Sequence, residues 1–107
     1  MLSHDLRAAR ALIADPKHWG VFAYEDHGRF CAVGAIRKAV TGHTSIDLMS
    51  GASYQLYRRV TDYIEDQFLL RNSGGLTGFN DTHEHAEVLA LFDRAITKAE
   101  QSEPTHE

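Results

Sequence analysis

Apolar residues near the start of the chain recur at steps of three and four: Leu6, Ala9, Leu12 and Ile13. That period marks one face of a helix. Ser3 can cap its start, Asp5 puts negative charge in the first turn, and Pro16 ends it by pushing Asp15 out of helical space. Residues 20–33, GVFAYEDHGRFCAV, change the pattern. Phe22 and Tyr24 alternate with smaller residues, and Phe30 follows the turn-like Asp26-His27-Gly28-Arg29. This predicts a small β-hairpin with Gly28 at positive φ, laid on a helical core because an isolated hairpin is marginal. From Cys31 to Val40 the helical period returns, with Ala32, Ala35, Ile36 and Ala39 on one side and Gly42 as the stop.

His43 to Ala52 is a polar stretch pinned by Ile46, Leu48 and Met49. A long helix is expected from Ser53 to Arg71, with Leu56, Val60, Tyr63 and Ile64 on its buried stripe and Tyr57 and Phe68 at the edge. Asn72-Ser73-Gly74-Gly75 ends it. Asp81-Thr82-His83-Glu84 matches a capping box that opens the last helix, whose stripe is Leu89, Phe92, Ala95, Ile96 and Ala99. The expected architecture is mainly α, an irregular bundle of about four helices with one small β-hairpin at about residues 20–33. One helical domain over 1–100 would be followed by a polar, disordered tail over 101–107, around Pro104.

Composition narrows the classes of function. The chain has 107 residues, with 11 Lys and Arg against 15 Asp and Glu, a formal charge of −4. Mild acidity argues against a nucleic-acid groove, which needs clustered positive charge. No run of about 18 apolar residues predicts a membrane span, and no apolar region follows the N-terminal charges as a secretory signal would require. A single cysteine excludes an internal disulfide and suits a reducing cytoplasm.

Cys31 is the first candidate for chemistry. A thiol at a helix start can have a lowered pKa, and His83 or His85 could serve as its base with Asn80 or Asp81 orienting the imidazole. Against this, a cysteine among Phe30, Ala32 and Val33 is more often a small buried hydrophobe. His83 and His85 lie two apart and point to nearly opposite faces of a helix, so no metal site is expected from them. Asn80 and Asp81 have structural roles at hand in a turn and a cap. Arg29 could clamp a carboxylate or phosphate, and Trp19 could either lid the first helix or line a pocket with it. Tyr57 and Arg58, on the long helix, are residue types enriched at protein interfaces. Gly34 inside a helix costs about 1 kcal/mol relative to Ala, which points to a close approach by the hairpin or another helix, or to room for a ligand.

The strings ALIADPKHW (11–19), DHGRFCAVGAIRKAV (26–40) and FNDTHEHAEVLALFDRAI (79–96) together resemble a bacterial and phage family of small proteins, the domain of unknown function numbered 6197. Phe30 stands where many members of that family carry Trp. The resemblance implies a shared fold and no assigned activity. The expected function is therefore that of a small cytoplasmic binding or accessory module with a protein partner or its own copy, no cofactor, no nucleic acid and no membrane. A cysteine-dependent hydrolase or transferase using Cys31 is the alternative. A weaker one is a metal or small-molecule sensor around Trp19, Arg29 and the histidines.

Overall fold

The computed structural model describes residues 1–103. Five α-helices lie among them: α1 (Leu2–Ile13), α2 (Ala32–Thr41), α3 (Gly51–Gln67), α4 (Gly75–Thr82) and α5 (His85–Ser102). A two-stranded antiparallel ribbon, β1 (Glu25–Asp26) and β2 (Arg29–Phe30), precedes α2. Short 3-10 turns at Pro16–His18, Ile46–Leu48 and Arg71–Ser73 join the elements.

α1 packs on α2 and α5, and α2 also meets α3. Leu6, Ala9 and Ile13 of α1, Ala35 and Ile36 of α2, Val60 and Ile64 of α3, and Leu91, Phe92 and Ala95 of α5 belong to one buried cluster. Each large side chain fully buried there contributes roughly 1.5–3 kcal/mol. α1 and α5 run antiparallel, as their cross-links show. Ser3 meets Glu103, Arg7 meets Glu100, Arg10 meets Asp93, and the Ile13 carbonyl meets His85.

The hairpin is narrower than residues 20–33, with His27 at φ 52° and Gly28 at φ 81° in a two-residue turn and Glu25 opposite Phe30. Two positive φ values in succession suit the twist of a tight hairpin, and glycine adopts the second without penalty. Gly42, at φ 83°, ends α2 as expected.

Several expectations are corrected. Met1, not Ser3, occupies the cap position of α1; Ser3 is drawn away because its backbone N–H and hydroxyl donate to Glu103 at 2.8 and 2.6 Å. α3 closes at Gln67, where Leu69 takes φ 55° and the Leu70 N–H reaches the Glu65 carbonyl at 3.0 Å. Val60 and Ile64 of its expected stripe are buried, but Tyr57 takes the buried place expected of Leu56, which is exposed; the Tyr57 hydroxyl accepts from Arg37 at 3.1 Å. The expected link after α3 contains α4, a fifth helix whose Leu76 N–H donates to Glu65 of α3 at 2.8 Å. The capping box of α5 is Glu84 with Glu87, and Asp81 falls in the last turn of α4. α5 continues to Ser102, past the expected boundary at residue 100, and residues 104–107 of the expected tail lie outside the described residues.

Candidate functional site

Asn80, on the last turn of α4, has no exposed surface and joins three parts of the fold. Its Oδ1 accepts from the Trp19 indole N–H at 2.7 Å and from the Ala32 N–H at the start of α2 at 2.9 Å. Its amide donates to the Gly20 carbonyl at 3.0 Å and to Asp81 Oδ1 at 3.1 Å. Both halves of the buried amide are therefore satisfied, as a group shut off from water requires. Asp81 Oδ1 also accepts from the Phe22 N–H at 2.9 Å. Phe22 sits at φ 67° and is 79% exposed. The incoming loop crosses α2 so closely that a Cβ on Gly34 would lie 1.8 Å from the Tyr24 carbonyl oxygen. Of the two reasons for this glycine, the close approach of the hairpin segment is the one realised.

Cys31 caps α2, its sulfur accepting from the Gly34 N–H at 3.3 Å. The residue is 2% exposed, and burial pushes the thiol above its ordinary pKa, outweighing the downward pull of the Gly34 and Val33 N–H groups. The Asp81 carboxylate adds to the rise, and Arg37 opposes it. A cavity of about 200 Å³ lined by Phe22, Tyr24, Thr77 and Asp81 also touches Cys31. The two histidines considered as its base are engaged elsewhere. The His83 Nδ1–H donates to the Phe79 carbonyl at 2.8 Å while its ring stacks on Phe79, and the His85 Nε2–H donates to the Ile13 carbonyl at 2.6 Å. Among the described residues neither imidazole is hydrogen-bonded to the sulfur.

Two other candidates do come together, with His85 beside them. Trp19, Arg29 and His85 line a cleft of about 490 Å³ with Pro16 and Asp26, the indole tilted against the imidazole at 5.3 Å. Tyr57 and Arg58 are not part of it. Tyr57 is 3% exposed, and Arg58 pairs with Asp62 on its own helix. Among the described residues no group of three His, Cys, Asp or Glu side chains gathers as a metal site.

Sequence reasoning missed Arg37. It is 8% exposed, with Nη1 donating to the Thr44 carbonyl at 3.0 Å and Nη2 to the Tyr57 hydroxyl. Its guanidinium lies 4.0 Å from the Tyr24 ring centre and 4.8 Å from that of Tyr57. The available signal was a charge one position from the buried Ile36, with a second charge, Lys38, next to it.

Fold and site together define a small helical protein with a short ribbon, pinned by one buried asparagine. The chain belongs to the family of unknown function 6197, whose model matches residues 2–98. Neither a curated protein nor a solved structure matches it. No helix among the described residues is long and apolar enough to cross a membrane.

Proposed function

We propose that this protein works by binding another protein, with Phe22 as the anchor of the contact. The observation that carries the reading is the posture of that residue: a large aromatic residue held at φ 67° and 79% exposed. Positive φ on a non-glycine residue costs about 1–3 kcal/mol, and exposing the ring forgoes its burial. The Asp81 carboxylate offsets that cost by fixing the Phe22 N–H, and Asn80 in turn holds Asp81. Strain maintained by neighbours around a protruding aromatic suits a recognition anchor, since buried aromatics dominate binding energy at interfaces. The enclosed thiol of Cys31, with its raised pKa, gives the hydrolase reading no support. A cytoplasmic setting accords with the single cysteine; an accessory role in phage or bacteria rests on the family resemblance alone.

The test compares proteins retained by the immobilised full chain, by Phe22→Ser, and by Leu48→Ser, a control at another exposed apolar position. Circular dichroism first establishes that both variants fold. The expected result is a stoichiometric partner kept by wild type and Leu48→Ser and weakened roughly a hundredfold by Phe22→Ser, the loss of a strong anchor. A second copy of the chain counts as that partner if sedimentation shows a dimer that Phe22→Ser dissociates. Equal retention by Phe22→Ser, or a monomer that retains nothing, overturns the reading.

A further inference from the structure

We propose that the pocket beside Arg37 binds a free α-amino acid, taking its carboxylate on Arg37 and its ammonium group on Glu25. This site is separate from the Phe22 contact, because Phe22 does not line it. The pocket measures about 450 Å³ and is walled by Tyr24, Glu25, Arg37, Thr44, Ser45 and Ile46. Ligand pockets run from about 300 to 1,000 Å³, so this one suits a small molecule.

The warrant is an unanswered charge. Arg37 is more than nine-tenths buried, yet no carboxylate among the described residues lies within ion-pair distance of it. Its protein acceptors are both neutral, the Thr44 carbonyl and the Tyr57 hydroxyl. A guanidinium carries five N–H donors in a planar fork, so those two bonds leave three without an acceptor among the described residues. Nε, buried without exposed surface, has no partner among the described residues. The Tyr24 and Tyr57 rings lie against the guanidinium, and beyond the Tyr57 hydroxyl they offer it no hydrogen-bond acceptor.

The opposite charge faces the same space. Glu25 on β1 accepts from the Thr44 hydroxyl at 3.1 Å and pairs with no cation among the described residues. Thr44 thus holds the guanidinium on its carbonyl and the carboxylate on its hydroxyl. A ligand bearing both charges answers both. Its carboxylate gains the charge-assisted fork of Arg37, its ammonium group gains Glu25, and its side chain lies along Tyr24 and Ile46. Inorganic phosphate would bring extra negative charge toward Glu25, and a plain carboxylic acid would leave Glu25 without a partner.

The test is thermal denaturation and calorimetric titration of the full chain with each standard amino acid, and with propionate, isobutylamine and inorganic phosphate as single-charge probes. The expected result is a concentration-dependent rise in Tm with one or more amino acids, bound roughly tenfold or more tightly than any single-charge probe. Glu25→Gln, on an exposed strand, is expected to abolish the preference for an amino acid over propionate. Arg37→Gln is expected to remove binding of both. If Arg37→Gln does not fold, Glu25→Gln decides alone. Propionate or phosphate binding as tightly as every amino acid, a preference unchanged in Glu25→Gln, or no shift with any probe at about 10 mM, weaker than any useful affinity, overturns the proposal. None of these outcomes bears on Phe22.

Discussion

Gly34 shows how a single position can invert a general rule. Within a helix, Gly→Ala ordinarily stabilises by about 1 kcal/mol. Here the added methyl group would stand 1.8 Å from the backbone oxygen of Tyr24, so helix and loop must separate. Overpacking of that kind costs about 1–3 kcal/mol or more, and the steric term wins. Gly34→Ala is expected to lower stability by about 2 kcal/mol net, measured by urea denaturation. Cys31, three residues earlier, is expected to resist iodoacetamide in the native state. Its raised pKa puts any labelling midpoint above about 8.5, the free-thiol reference, and labelling should become rapid only after denaturation. Fast native alkylation with a midpoint below that reference would restore Cys31 as a nucleophile.

Among the elements, those whose signals are local were legible in the sequence. The His27-Gly28 turn, the Gly42 stop and the apolar side of α2 need only neighbouring residues to be read. α4 was not legible, because Gly75–Thr82 is short, carries two glycines, and takes its N-terminal partner from Glu65 on another helix. The same reason displaced the start of α5. Asp81-x-x-Glu84 and Glu84-x-x-Glu87 both fit a capping box, and Asp81 is removed from the choice by the Phe22 N–H and the Asn80 amide. Of the candidate site, Trp19, Arg29 and His85 were named from sequence and do share a cleft, whereas the setting of Arg37 depends on Tyr24, Thr44 and Tyr57 from three other segments. Asn80 is the junction between elements. Asn80→Ala strands the Trp19 N–H, the Ala32 N–H and the Gly20 carbonyl, and at about 1–3 kcal/mol for each group left buried without a partner it is expected to cost about 3–5 kcal/mol. A loss below about 1 kcal/mol in chemical denaturation would mean that water replaces the amide there.

Across the whole molecule, α1 and α5 are laced along their length, and the outermost lace responds to acid. Glu103 is held below the ordinary carboxyl range, first by the Ser3 hydroxyl, then by the Ser3 N–H. A depressed folded-state pKa contributes stability above the unfolded value of about 4.3, and that contribution is lost as pH falls through the folded value. Glu103→Gln should therefore lower Tm most at neutral pH, and the gap to wild type should close below about pH 4. A gap that stays constant between pH 3 and 7 would rule out the carboxylate as its source. The same contact has a topological consequence. Since residue 3 touches residue 103, a short glycine-rich linker can close the chain into a ring, and the ring can be reopened at the exposed bend around His43. Such a circular permutant would keep every helix intact while moving both chain ends to the rim of the Arg37 pocket, where a reporter fused to either end would sit beside whatever enters it.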